Sequence, residues 1–249
     1  MMLEKLSPEY VKGALTYRKE VLLRRLLKSR PEPVREAIDR LRRELRAAKI
    51  SRRALPKFDA LRGRKGLKLN LGCGGDIRPD WINLDLKLDD AAEADGFFNY
   101  DLRRGIPLPD GCCSHIYSSH FFEHLTNQQG QALMRECLRV LEEGSVMRTV
   151  LPNYRNFFAA YLAGDWNYVS SWDYLPALTR PNGERFWGDV ADVGIYQFGE
   201  HVCFYDEERA ANVLRELGFK SVNVSEFNQA FDVDTDERRR YSFYIEAVK

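Results

Sequence analysis

The sequence of 249 residues lacks several features, and each absence excludes a class of protein. Its five cysteines are an odd number and contain no C-x-x-C pair, which disfavours a disulfide framework and favours a reducing, cytoplasmic location. No apolar run approaches the roughly 18–20 residues that a membrane span requires. The first ten residues are charged and lack the apolar segment of a signal peptide. We therefore expect a cytoplasmic protein that is neither secreted nor embedded in a membrane.

The net charge of +1 conceals two oppositely charged regions. Residues 1–65 contain 20 Lys and Arg against 8 Asp and Glu, a balance of +12. The remaining residues contain 18 against 29, a balance of −11. The sequence therefore predicts a basic N-terminal region, 1–65, joined to a second domain, 66–249.

The basic region has the composition of two helices. The segment from Pro8 to Lys28 is rich in helix formers, and the segment from Pro33 to Lys49 has an apolar stripe opposite a face of arginines. A helical hairpin packed on the second domain, or forming a homodimer with another copy, is the simpler interpretation. The alternative is a basic surface for an anionic membrane or an acidic glycan. Nucleic acid is disfavoured because neither a regular interleaving of aromatic and basic residues nor a known nucleic-acid-binding motif supports it.

Strand and helix patterns alternate from residue 66 onwards. Strands are predicted at 67–71, 81–85, 97–101, 115–119, 145–151, 219–227 and 241–248, and helices at 127–141 and 206–217. This alternation predicts an α/β fold with a Rossmann-like, mainly parallel sheet. Because the last two strands are consecutive, we expect an antiparallel hairpin at the edge of that sheet.

The alternation is interrupted by an insertion, 152–200, that is rich in aromatic residues. Residues 154–205 contain 14 aromatics in 52 positions, whereas aromatics make up 12% of the chain. An insertion after a parallel strand lies at the carboxyl edge of the sheet, where open α/β sheets bind ligands. We predict that these rings line a substrate cavity. A small satellite core is the other interpretation, and the two are compatible.

The strongest candidate site follows three successive strands. The first strand runs through Asn70 into a turn with Gly72 and Gly74, where backbone N–H groups can approach a ligand closely. Asp85 ends the second strand, where its carboxylate can accept hydrogen bonds from two ribose hydroxyls. Asp101 follows the third strand and is placed to reach an adenine amino group, with Leu102 packing on the ring.

The same turn argues against a dinucleotide site. The G-x-G-x-x-G pattern needs a third glycine for close packing of the following helix, and that position is Ile77. The interval before the next strand is also too short for a full helix. A nicotinamide-dependent oxidoreductase is therefore disfavoured.

These motifs resemble class I S-adenosylmethionine-dependent methyltransferases, in particular a bacterial group with a W-I-N-x-D second strand that is often encoded in glycan and lipopolysaccharide gene clusters. The matching segments are Leu69–Gly75, Trp81–Asp85, Asp101–Pro109, Ser118–Leu125, Cys137–Gly144 and Tyr241–Lys249. The turn before the fifth strand, Glu143-Gly144-Ser145, departs from the family's usual P-G-G.

The resemblance implies S-adenosylmethionine as the cofactor and assigns roles to residues at the strand ends. It places Gly72, Cys73 and Gly74 along the methionine part, Asp85 and Leu86 at the ribose, Asp101 and Leu102 at the adenine, and Ser119 and His120 beside the sulfonium. Asn70 completes the candidate cofactor-binding set.

Four side chains are candidate contacts of the methyl acceptor, and two histidines are candidate bases. The acceptor candidates are His124, Tyr154, Trp187 and Glu200. Methyl transfer to a hydroxyl is an in-line displacement that benefits from a base, and a histidine suits this role. His120 and His201 are the catalytic candidates because both are expected at the carboxyl edge.

The segment from His120 to His124 also matches H-x-x-E-H, the inverted zinc-protease motif. That motif needs a helix of ordinary length and an acidic ligand on another helix, whereas here it begins directly after a strand. We therefore expect no metal, and we assign Glu123 to the start of a helix, where it complements the helix dipole.

The sequence thus predicts O-methylation of a sugar or glycan, or of a glycosylated small molecule, because aromatic faces suit pyranose rings. An aromatic or natural-product acceptor is the alternative, and a non-catalytic cofactor-binding scaffold is a further one.

Overall fold

The computed structural model describes residues 30–88 and 96–249, and the structural statements below concern those residues. The helix predicted over Pro8–Lys28 lies outside them. The chain forms two compact units, residues 1–49 and 50–249. Within the described ranges, no helix combines the length and the apolar character needed to cross a membrane.

Helix α1, Glu32–Asp59, starts within the first unit and continues into the second. The sequence predicted its end at Lys49, and the structure extends it ten residues further, through Pro56. In the first unit, the apolar stripe of α1 is open to solvent: Val34 is 42% exposed, Leu41 58% and Leu45 63%. The apolar stripe predicted from the periodicity is therefore present on α1. Among the described residues of the first unit, no other element covers it.

The second unit is built on a seven-stranded sheet. Its strands are β1 (Leu67–Leu71), β2 (Ile82–Asp85), β3 (Phe97–Asn99), β4 (Cys113–Ser119), β5 (Leu141–Pro152), β6 (Ser221–Ser225) and β7 (Ser242–Val248). The strand order is β3-β2-β1-β4-β5-β7-β6. β7 runs antiparallel to both of its neighbours, β5 and β6, and the other pairs are parallel. The predicted Rossmann-like sheet with an antiparallel edge pair is confirmed, with β7 inserted between β5 and β6.

The remaining helices connect the strands and form the insertion. They are α2 (Asn127–Val140), α3 (Tyr154–Ala163), α4 (Leu175–Leu178), α5 (Trp187–Ala191), α6 (Glu207–Glu216) and α7 (Asp236–Tyr241), with 3₁₀ turns at Leu102–Arg104, Phe122–His124 and Gln197–Gly199 and a π-helical segment at Asp192–Tyr196. Between β1 and β2 the chain forms turns and no helix, as the short interval predicted.

The central core lies on one face of this sheet, and the insertion has a core of its own. Fully buried Leu69, Leu84 and Leu141 belong to the central core, which also includes Phe58 from the end of α1. Phe157, Val169, Leu175 and Val190 form a separate cluster inside the insertion. The second cluster gives the insertion a fixed shape above the carboxyl edge of the sheet.

Candidate active site

The turn after β1 is held open by two glycines in the left-handed region. Gly72 has φ +62° and Gly74 has φ +53°. A Cβ at Gly72 would come within 2.2 Å of the Phe121 ring, so only glycine fits between the turn and that ring. At Gly74 a Cβ would meet open space. The turn therefore combines a tightly packed first glycine with a second glycine that faces outward.

Two buried asparagines replace the missing helix as the support of this turn. Asn70 and Asn83 are opposite each other on β1 and β2, and the Asn70 amide donates to Asn83 Oδ1 at 3.1 Å and to the Asp76 carbonyl at 2.7 Å. Asn83 bonds to both backbone groups of Arg78, at 2.9 and 3.0 Å. Asn70, which the sequence predicted to bind the cofactor, thus holds the loop in shape. The sequence did not predict that Asn83 shares this role.

Asp85 is placed at the end of β2 beside the glycine turn. It accepts hydrogen bonds at 2.6 Å from the backbone N–H of Gly74 and, on its other oxygen, from that of Leu86. A carboxylate has about four lone-pair directions, so about two remain for hydroxyl groups. The half-buried Asp85 therefore fits a ribose diol, and Gly74 and Leu86 fix its orientation.

Asp101 is engaged by neighbouring side chains more fully than the sequence suggested. It is buried, caps a 3₁₀ turn, and accepts from Arg103 Nε at 2.8 Å and from Arg103 Nη2 at 2.9 Å. Its own backbone N–H donates to Ser51 Oγ at 3.1 Å. Leu102 is buried beside it in the central core. A ligand amino group at Asp101 would have to share the carboxylate with Arg103.

Cys73 lies between the two glycines and is shielded from solvent. Burial raises the pKa of its thiol to about 12, and the carboxylate of Asp85 adds to the shift. Its backbone N–H donates to the Leu84 carbonyl at 3.1 Å, which ties the turn to β2. The thiol is therefore an inert packing group in this turn.

The carboxyl end of β4 places His120 in a strained backbone conformation. Its φ is +49°, which is uncommon for a residue other than glycine and is associated with functional sites. His120 Nε2 lies 2.8 Å from the Ser242 hydroxyl on β7. Ser119 precedes it, and its hydroxyl is buried without a hydrogen-bond partner. Ser242 is a contact that sequence reasoning missed, since it is 122 residues away.

Burial governs the protonation of the histidine group. It lowers the pKa of His120 well below its usual value, with a further contribution from the charge of Arg238. Burial also lowers the pKa of His201 to about 4 and lowers that of His124. All three imidazoles are therefore neutral near pH 7, so each keeps one unprotonated ring nitrogen.

The imidazole rings of His201 and His124 pack against each other. Their ring centroids are 4.9 Å apart, and the Tyr154 hydroxyl lies 3.1 Å from His201 Nδ1. Tyr154 itself stacks on Phe204, with 4.2 Å between the centroids. The sequence placed His201 at the carboxyl edge of the sheet, and the structure brings it together with His124 and Tyr154 there.

The sequence assigned Glu123 to the start of a helix, and the structure shows that its side chain is also fully buried. It lies in a 3₁₀ turn, its side chain is 0% exposed, and burial raises the pKa of its carboxyl to about 8. Neither of its oxygens has a hydrogen-bond partner. The neutral ring of His120 lies close to it, with Nδ1 3.6 Å from Glu123 Oε1.

A cavity of about 320 Å³ opens in front of the histidines. His120, His124 and His201 form one wall, and Arg238 and Asp173 add one charge of each sign. The other walls are aromatic: Tyr154, Phe157, Tyr168, Trp172, Tyr174 and Tyr241. The insertion thus supplies both a satellite core and the lining of a cavity. Arg238, from α7, was not anticipated from the sequence.

Two predicted acceptor contacts lie away from the cavity wall. Trp187 packs inside the insertion, with its ring 4.7 Å from that of Trp166 and 6.4 Å from that of Phe157. Glu200 precedes His201 and is exposed, and neither residue is among those that line the cavity. The short helices of the insertion turn Trp187 inward, which periodicity over so few residues does not reveal.

Comparison with known proteins adds one match in sequence. The family described as a methyltransferase domain matches residues 73–148, which run from the glycine turn into β5. No curated protein matches the chain.

Solved structures also resemble the fold. A SAM-dependent methyltransferase from Archaeoglobus fulgidus is 19% identical, with a TM-score of 0.44, over 83% of this chain and 94% of that one. A possible histamine N-methyltransferase from Thermotoga maritima is 13% identical, with a TM-score of 0.44, over 85% and 96%. Phosphoethanolamine N-methyltransferase 2 from Haemonchus contortus, solved with S-adenosyl-L-methionine, is 12% identical, with a TM-score of 0.44, over 78% and 52%.

The domain match includes Cys73 and Gly74 of the glycine turn and both strand-end acids, Asp85 and Asp101. The chain is therefore an enzyme that carries an S-adenosylmethionine-dependent methyltransferase domain, and S-adenosylmethionine is its cofactor. Gly74, Asp85 and Leu86 fit this cofactor because the turn is open at Gly74 and the carboxylate retains acceptor capacity.

Proposed function

We propose that the enzyme methylates a hydroxyl oxygen of a sugar or of a glycosylated small molecule. The observation that carries this proposal is the cavity in which three neutral histidines face a wall of six aromatic rings. Aromatic faces pack against the C–H faces of pyranose rings, and neutral imidazoles suit the removal of a hydroxyl proton. A glycan biosynthetic role in the cytoplasm is part of this proposal.

The cofactor supplies an electrophilic methyl group on sulfur, and the chain positions the acceptor and takes up its proton. Asp85, with the backbone of Gly74 and Leu86, is proposed to hold the ribose, and Cys73 and Gly72 to lie along the methionine part. Ser119 and His120, at the end of β4, are the proposed neighbours of the reacting centre.

His120 and His201 are the proposed proton acceptors. His120 is oriented by Ser242 and His201 by Tyr154, since each pair is within 3.1 Å. Each imidazole would accept the hydroxyl proton as the new carbon–oxygen bond forms. His124 and Tyr154 are proposed acceptor contacts. Orientation and general-base catalysis of this kind contribute about 10²–10⁴-fold to a rate.

The test has two stages, cofactor binding and then transfer. Calorimetry with S-adenosylmethionine and with NAD separates the methyltransferase from an oxidoreductase, and failure to bind S-adenosylmethionine at millimolar concentration would contradict the proposal. Formation of S-adenosylhomocysteine is then measured with free sugars, nucleotide sugars and simple phenols. Turnover with phenols alone would favour the aromatic acceptor, and binding without any turnover would favour a non-catalytic scaffold.

The first unit is proposed to serve as a contact surface. Its exposed apolar stripe and its arginines are compatible with a homodimer through these helices and with attachment to an anionic membrane. Light scattering of the full chain, with and without anionic vesicles, distinguishes the two.

A further inference from the structure

Two histidines of the cavity wall, His124 and His201, also form a cluster with the buried carboxyl of Glu123, which the proposed methyl transfer does not use. Glu123, His124 and His201 each offer one ligand atom, and the three atoms lie within 4.8 Å of one another. His124 and Glu123 come from the turn after β4, whereas His201 comes from the far end of the insertion, 77 residues later. The sequence argument against a metal considered only the segment from His120 to His124. It therefore could not take His201 into account.

Among the residues that the structure describes, none donates a hydrogen bond to the buried carboxyl of Glu123. Both oxygens of Glu123 are inaccessible and lack hydrogen bonds, and the side chain is 0% exposed. An unpaired carboxylate in such a place is costly unless it is neutralised or coordinates a cation. His201 Nε2 is likewise buried without a partner. The unpaired atoms of Glu123 and His201 belong to the same cluster.

We propose that Glu123, His124 and His201 bind a divalent transition-metal cation of the Zn²⁺ class. Two imidazoles and one carboxylate are a ligand set that zinc uses in catalytic sites, where a fourth position stays open. Ligand atoms around tetrahedral zinc are about 3.4 Å apart, so the side chains must draw together by about 1 Å. Such a movement lies within the reach of side-chain torsions.

The surroundings of the ligands match a metal site. Metal-binding histidines commonly use the second ring nitrogen in a hydrogen bond that fixes the ring. The Tyr154 hydroxyl meets His201 Nδ1 at 3.1 Å, which leaves Nε2 for the cation.

The position of the cation follows from the lining of the cavity. His124 and His201 line the cavity and Glu123 lies behind them, so the open coordination position would face the cavity. An acceptor hydroxyl there would bind to the cation and become more acidic. This role rests on the proposed function, whereas cation binding itself does not. With His201 as a ligand, His120 is left as the base.

The test uses the full-length protein after treatment with EDTA and desalting. It is titrated with Co²⁺, followed by visible absorption, and with Zn²⁺, followed by calorimetry. One cation per chain is expected, with the absorption of nitrogen- and oxygen-ligated Co²⁺. Glu123→Gln and His201→Asn should weaken binding by at least about 100-fold, and Tyr154→Phe by about 10–100-fold.

His115→Ala is the matched control, because His115 stacks on Phe231 outside the cluster. It should bind the cation like the wild type. Absence of binding in the wild type, or unchanged binding in Glu123→Gln and His201→Asn, would overturn the proposal. Titration of the same samples with S-adenosylmethionine separates the metal site from the proposed function. Cofactor binding without cation binding would contradict only the metal site. Cation binding without cofactor binding would contradict only the proposed function.

Discussion

The ring of Phe121 occupies the space that any side chain at Gly72 would need, with 2.2 Å between its Cδ2 atom and an ideal Cβ. Gly72→Ala should therefore lower the affinity for S-adenosylmethionine by at least about 10-fold, since the turn must shift and φ +62° disfavours alanine. Calorimetry measures the effect. The matched variant Gly74→Ala meets open space, so it adds backbone strain without the clash and should lose less affinity.

Asp85 should be the most important side chain for cofactor binding. Asp85→Ala removes the acceptor for the Gly74 and Leu86 N–H groups together with the proposed ribose contact. We expect a loss of affinity of at least about 100-fold, because two to three charge-assisted hydrogen bonds are involved. Glu143→Gln neutralises an acid in an exposed surface ion pair and is the control. An unchanged affinity of Asp85→Ala would remove Asp85 from the site.

His120 and Ser242 should act together in turnover. His120→Ala is expected to lower kcat by about 10²–10⁴-fold, with little effect on the affinity for S-adenosylmethionine. Ser242→Ala, which leaves the ring without its 2.8 Å contact, should lower kcat by about 10-fold. His115→Ala should retain full activity. Full activity in both His120→Ala and His201→Ala would show that the acceptor needs no histidine.

The strands and the glycine turn were predictable because their signals are local. The sequence placed a strand at each of β1 to β7, although β5 begins at Leu141 rather than at Ser145, and the position of the turn followed from where β1 ends. The position of Asp85 was predictable because it depends only on where β2 lies and where β2 ends. The Asn70–Asn83 pair was not predictable, because it depends on the register between two strands.

The parts of the site that combine residues distant in sequence could not be predicted in the same way. His201 reaches Glu123 only because the insertion folds back, and Ser242 reaches His120 only because β7 pairs with β5. Helix α1 passes through Pro56 because Ala54 and Phe58 are buried in the central core, which outweighs the lost backbone hydrogen bond. Such tertiary contacts leave no periodic signal.

Cys73 should resist alkylation in the folded protein. Its pKa is raised to about 12, so the thiol stays protonated at pH 8, and the thiolate fraction grows only as the pH rises towards 12. Cys203 is partly exposed and should react with iodoacetamide first. Peptide mapping by mass spectrometry gives the order. Rapid labelling of Cys73 at pH 8 would mean that the glycine turn opens in solution.

Arg148 should be a stabilising residue of the sheet edge rather than part of the active site. Its guanidinium is buried and contacts Asp232 at 2.8 Å, Glu246 at 2.7 Å and Ser225 at 2.8 Å. Arg148→Met leaves the buried Asp232 without a cation, so the free energy of unfolding should fall by about 3–5 kcal/mol. Lys220→Met breaks an exposed ion pair, so the free energy of unfolding should stay within the error of the measurement. Urea unfolding measures both, and adding Asp232→Asn to Arg148→Met should restore part of the loss, since it removes the unpaired charge.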